Sequence, residues 1–166
     1  MKNLYLFLLV VATLHSFAAK KKYAVAGTIT QTADYCGGIA PSEAMLQMLR
    51  SPQPLEGKKI FVRKGNANYA SKKIIAETAS DADGNFKLHL RPGVYCIVFE
   101  DKLSPLNIPQ NDNHTTWNKA CMKTAHAKCE YTFTLKKEPL AAIKINYHKH
   151  CSFKAPCSNY QGPTPP

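Results

Sequence analysis

The run His148-Lys149-His150-Cys151 gathers three metal-binding side chains within four residues. On a β-strand, residues two apart share a face, so the two imidazoles could hold one ion together with Cys151 beside them. Two histidines are too few to specify a site. If Tyr147 points into a core, both rings point to water along with Lys144 and Asn146. They therefore read as exposed edge histidines, and neither a metal nor a cofactor is expected. A copper- or zinc-binding protein using His148 and His150 is the alternative that this run leaves open. Met45-x-x-Met48 and Met122 with His126 also invite copper, but methionines at helical spacing read as core.

Tyr35-Cys36-Gly37-Gly38 is the second candidate for chemistry. A catalytic cysteine needs a histidine within hydrogen-bond reach and a third group to orient that histidine, and the sequence offers no such constellation. Cys36 instead reads as a disulfide anchor, with two glycines completing a turn. Cys96, Cys121, Cys129, Cys151 and Cys157 bring the count to six, an even number that favours disulfides in an exported chain. Were 116–128 helical, Cys121 and Cys129 would lie about 12 Å apart along its axis, beyond the roughly 7 Å that a disulfide spans. They are expected to pair elsewhere. Cys151 and Cys157 could close on each other or tie the tail to the body.

Export is read from residues 1–18. Lys2 starts them, Leu4 to Leu14 is apolar, and Ser16-Phe17-Ala18 offers small residues for cleavage. The apolar run is too short to span a bilayer, and no cysteine follows it as a lipoprotein signal would require. A secreted or periplasmic location follows. Cleavage would remove Lys2 and lower the net charge from +11 to +10. Such a basic chain suits an acidic partner or simply stays soluble. Its charges are scattered apart from Lys20-Lys21-Lys22, and nucleic acid is not expected as a partner.

The elements that must position these residues are mostly strands. In Ser80 to Tyr95, Asp83-Gly84 supplies a turn, and Phe86, Leu88 and Leu90 alternate with polar residues. Pro92-Gly93 supplies a second turn, after which Val94 to Phe99 is apolar, as in a strand covered on both faces. Strands are expected at 23–30, 58–63, 73–78, 85–90, 94–100, 131–135 and 142–147. Helices are expected at 41–50, where Met45, Leu46, Met48 and Leu49 form a stripe, and at 116–128, beginning at a Thr cap. The fold class is all-β: seven strands fit a β-sandwich with two short helices in insertions.

The hairpin pattern D-x-D-G-x-F-x-L followed by P-G-x-Y resembles carboxypeptidase regulatory-like domains. Gly27-Thr28-Ile29 is similar to that family's first strand, and the segment from Pro54 to Val62 to its second. The resemblance covers about residues 23–100 and implies a seven-stranded, prealbumin-like Greek-key β-sandwich, a module that binds or scaffolds far more often than it is an enzyme. About twenty residues, 32–51, are inserted where the family has a short turn. The organisation is then a signal peptide at 1–18, a sandwich domain at 19–150 and a Cys/Pro-rich tail at 151–166. Intradiol dioxygenases share the hairpin, but their His-x-His pair follows it closely, whereas His148 and His150 lie in the last strand. Hydroxyisourate hydrolases end in a Y-R-G-S-like motif, and the present tail reads Tyr160-Gln161-Gly162-Pro163. No catalytic residue is assigned on either pattern. The expected partner is a glycan or an envelope protein, with Tyr35, Tyr69, Trp117 and Tyr160 as candidate ligand-binding aromatics. Cys36 and Cys121 or Cys129 are expected to tie the two excursions, 32–51 and 105–128, to the body, with Tyr35 and Trp117 near a shared surface.

Overall fold

A computed structural model describes residues 21–163. The expected signal peptide lies outside the described residues. Alternation of apolar and polar side chains produces strands β1 (Tyr23–Ala33), β3 (Lys59–Lys64), β4 (Ile74–Ala79), β5 (Asn85–Leu90), β6 (Gly93–Val98), β8 (Tyr131–Leu135) and β9 (Leu140–Lys149). Three very short strands join them: β2 (Gln53–Pro54), β7 (Thr115–Trp117) and β10 (Ser158–Tyr160). The expectation of seven strands is therefore too low among the described residues. The extra three arise where excursions and tail pair with one another or with the end of β1, contacts that local periodicity does not encode.

In one sheet β1 runs antiparallel to β5 and β2 and parallel to β9. The other sheet has the antiparallel order β4-β3-β6-β8. Val25, Ile29, Phe86, Leu88, Leu90, Ile143 and Ile145 from the first sheet meet Ile60, Val62, Tyr95, Ile97, Phe133 and Leu135 from the second, giving a two-sheet sandwich. Gly27 allows the close crossing at its centre, because a Cβ there would lie 2.3 Å from the Ile143 carbonyl oxygen. The β5 turn forms as expected: Gly84 has φ +75°, and Asp81 accepts hydrogen bonds from the Asp83 and Asn85 N–H groups. Tyr95 is buried and donates its hydroxyl proton to the Arg91 carbonyl at 2.6 Å.

Strand β6 is covered on both faces after its exposed first residues. Its outward Cys96 and Val98 pack with Phe61, Cys129 and Leu103 in a smaller cluster. Helix α1 (Glu43–Arg50) is capped by Ser42, whose Oγ accepts from the Met45 N–H at 3.2 Å. Helix α2 (Lys119–Ala127) begins later than expected. Asn118, not a threonine, is the cap, with Oδ1 accepting from the Cys121 N–H at 2.9 Å. Thr115, Thr116 and Trp117, β-branched and aromatic, are taken instead by pairing with the tail strand β10.

Candidate functional site

Strand β1 continues past Thr30, where the sequence pattern ended it, because β9 runs beside it in register. Thr30 faces Asn146 and Thr32 faces His148, and the Asp34 N–H bonds the Lys149 carbonyl at 3.0 Å. Alternation puts Thr30, Thr32 and Asp34 on the same outer face as Asn146, His148 and His150. Tyr147 turns the other way and packs against the core, its ring 5.8 Å from that of Phe99.

A polar chain links these outer residues. Thr30 Oγ1 donates to Asn146 Oδ1 at 3.1 Å, and Asn146 Nδ2 donates to Thr32 Oγ1 at 2.9 Å. Thr32 Oγ1 lies 2.9 Å from His148 Nδ1. His148 Nε2 is 3.2 Å from Asp34 Oδ1, and His150 Nδ1 is 3.3 Å from Asp34 Oδ2. The two imidazoles meet edge to face at 4.5 Å. Just beyond, the Cys36–Cys151 disulfide pins the ends of both strands with its Cα atoms 5.5 Å apart. Partial burial works to raise the Asp34 pKa. Hydrogen bonds from His148 and His150, the charge of His148 and the Cys151 N–H outweigh that burial and hold the carboxyl below its ordinary value.

This arrangement offers two imidazole nitrogens and one carboxylate, the donor set of a divalent metal site. Thr32, His148 and Asp34 also follow the order of a nucleophile, base and orienting acid. However, Thr32 Oγ1 is already engaged by Asn146 on an open sheet face, so its hydroxyl serves to orient the imidazole. Asp34 is the member that sequence reasoning missed. The available signal was the matched alternation of Thr30-x-Thr32-x-Asp34 with Asn146-x-His148-x-His150.

The candidate aromatics fall in separate places. Tyr35 folds over Gly37 and donates to the Ile39 carbonyl at 2.6 Å, and a Cβ at Gly37 would lie 2.4 Å from the Tyr35 hydroxyl. Trp117 and Tyr160 share the β7–β10 ribbon. The Tyr160 ring lies 6.0 Å from Phe153 and 6.4 Å from His114, and Trp117 lines a shallow depression beside the Cys121–Cys157 disulfide. Tyr69 stands exposed in the β3–β4 loop. Among the described residues, no hydrogen bond or ring contact joins Tyr35 to Trp117. The excursions are linked through the tail instead, since Cys151 bonds Cys36 of the insert and Cys157 bonds Cys121 of α2, while Cys129 bonds Cys96 of β6.

The expected apolar packing of Met45 and Met48 is corrected by the structure. Helix α1 has no buried residue, and Met45, Met48 and Ile39 are 42%, 61% and 85% exposed. Eight residues lying across one strand are too short to turn both flanks of the stripe onto the sandwich, and only Leu46 and Leu49 are partly covered.

No family model matches the sequence, and no curated protein matches it. Among solved structures, the chain is similar to the shaft pilin SpaA of Lactobacillus rhamnosus GG at 13% identity and a TM-score of 0.43, covering 78% of this chain and 52% of the pilin. A streptococcal ancillary pilin aligns at 14% identity and a TM-score of 0.38 over 76% of this chain and 29% of that one. The N-terminal domain of the same shaft pilin aligns at 14% identity and 0.35, covering 81% and 97%. The chain thus spans about half the length of the shaft pilin. At these identities and scores the likenesses carry no statement about activity or partner.

Proposed function

We propose that the chain is an exported, non-catalytic binding module of the kind that carboxypeptidase regulatory-like domains represent, that its recognition surface is the insert, and that its partner is an envelope protein. The exposed side of α1 carries the reading. An eight-residue helix is marginal by itself, and this one buries no residue in the sandwich, yet a side-chain cap, the Tyr35–Ile39 bond and the Cys36–Cys151 disulfide hold its place. Ile39, Met45 and Met48 all face water within this one segment, and exposed large apolar side chains gathered in a short segment favour a protein interaction surface. A glycan would prefer aromatic faces beside polar groups, and the rings of Tyr160 and Trp117 are partly covered. The charge of +11 favours a partner whose apolar patch is rimmed by acidic residues. Three disulfides among six cysteines support a secreted or periplasmic setting.

Substituting Ile39→Ser, Met45→Ser and Met48→Ser should change stability by less than about 0.5 kcal/mol each, as for surface positions generally, and the triple variant should stay folded. The same variant should lose capture of an envelope protein that the wild-type chain retains on a column. Undiminished capture would move the surface elsewhere, and a glycan-array signal retained by the variant would favour the β7–β10 ribbon.

A further inference from the structure

We propose that Asp34, His148 and His150 bind one zinc ion, a site independent of the insert's apolar surface. The donor atoms of the three side chains all lie within 4.8 Å of one another. Donors about 2.0–2.1 Å from a tetrahedral zinc stand about 3.3 Å apart; His148 Nε2 lies 3.2 Å from Asp34 Oδ1 and His150 Nδ1 lies 3.3 Å from Asp34 Oδ2, so the carboxylate stands between the two imidazoles and a small turn of it gives one oxygen to the ion. The three side chains are 23 to 38% exposed, which leaves an ion a route in from water.

The surroundings support the donors from behind, as metal sites require. Thr32 Oγ1 stands at His148 Nδ1 and leaves Nε2 aimed at Asp34, and Asn146 Nδ2 fixes Thr32 in turn. The Cys36–Cys151 disulfide holds together the strand ends beside which Asp34 and His150 sit. Zinc replaces the two imidazole–carboxylate hydrogen bonds. The ring proton of His148 then resides on Nδ1, where Thr32 Oγ1 accepts it, and that of His150 resides on Nε2, facing water. Neutral imidazoles with one carboxylate suit zinc better than calcium or magnesium, which take oxygen ligands, and better than copper(I), which seeks thiolates that are here consumed in disulfides. Three protein donors leave one position for water or for a donor from outside the chain.

The test uses the disulfide-intact chain and zinc alone. Calorimetry should give one zinc per chain. Absorption fine structure should show two imidazoles in a shell at about 2.0–2.1 Å. Nitrogen-15 spectra of the wild-type rings should move the proton from Nε2 to Nδ1 in His148, a readout that needs no variant. Asp34→Asn and His148→Gln should each weaken binding at least tenfold, and Thr32→Val should weaken it about 10–100-fold, with each variant keeping the wild-type circular dichroism spectrum in chelator. Absence of binding by the wild type overturns the proposal. So does undiminished binding by the His148→Ala, His150→Ala double variant, or a zinc titration that leaves the two ring tautomers unmoved.

Discussion

The insert and the connection between β6 and β8 both leave the sandwich, both carry one short helix and both are tied by disulfides, yet they are held in different ways. The connection folds back onto β6. Cys129 joins Cys96 at the fully buried centre of the smaller cluster, and Leu103 packs against it. Asn68, buried in the β3–β4 loop, donates Nδ2 hydrogen bonds to the carbonyls of Lys102 at 2.9 Å and His126 at 3.0 Å, and its N–H bonds the Ala127 carbonyl. The insert has one disulfide at its base, and although α1 and α2 alike have no buried residue, only the α2 end is gripped by a buried side chain, that of Asn68. The connection is thus part of the packed body, while the insert is a loop held at its two ends, by Cys36–Cys151 and by the pairing of β2 with β1. That difference is the ground for proposing recognition on the insert, and it predicts that stability depends more on the connection.

Removing the buried bridge should break the comparison most visibly. Cys96→Ala with Cys129→Ala should cost about 2–5 kcal/mol, the usual loss for a native disulfide in a small exported domain, because it frees a loop of 33 residues in the unfolded chain and strips packing from Phe61 and Val98. Urea denaturation measures it. A loss under about 1 kcal/mol, typical of an ordinary surface change, would make the connection as loosely coupled as the insert. Asn68→Ala should come next, at about 1–3 kcal/mol, since it leaves two partly buried carbonyls without donors. Hydrogen exchange would localise the effect: amides of α2 should exchange faster while those of α1 keep their rates. Equal acceleration in both helices would erase the distinction between the two regions.

The same contrast explains what the sequence could tell. The seven principal strands lie close to their expected positions because each writes its own alternation or apolar run, as Phe86, Leu88 and Leu90 do, and Gly84 marks its turn by a positive φ that other residues resist. The start of α2 was misplaced because Thr116 pairs with Asn159, a residue 43 positions away in the chain, and no local signal announces that. Asp34 was invisible as a partner of His148 for the same reason, with 114 positions between them and a parallel register set by β1 and β9. The histidines' outward direction, by contrast, followed from Tyr147 facing in. Met45 and Met48 carried the helical spacing of a core, and spacing does not say whether anything covers the stripe.

The smallest expected effect lies at the connection's exposed turn. Asp112 Oδ1 accepts the N–H of His114 at 2.8 Å and of Thr115 at 2.7 Å, and these backbone donors hold the Asp112 carboxyl below its ordinary value of 3.8, with a weaker opposing contribution from desolvation. A carboxyl depressed in the folded state binds its proton more readily when unfolded. Its contribution is therefore present above the unfolded value and is lost as pH falls through the folded one. The amide protons of His114 and Thr115 should titrate together as the pH falls into the acid range, with a midpoint under 3.8. That inflection should vanish in Asp112→Asn, which keeps the shape and removes the charge. The melting-temperature difference between wild type and Asp112→Asn should be steady at neutral pH and shrink over the same acid range. Because the group is fully exposed the shift should be slight, and amides of α1 should not follow it. An inflection at or above the ordinary value would mean that this turn is as open to water as the insert, and that the order of the connection rests on its disulfides and Asn68 alone.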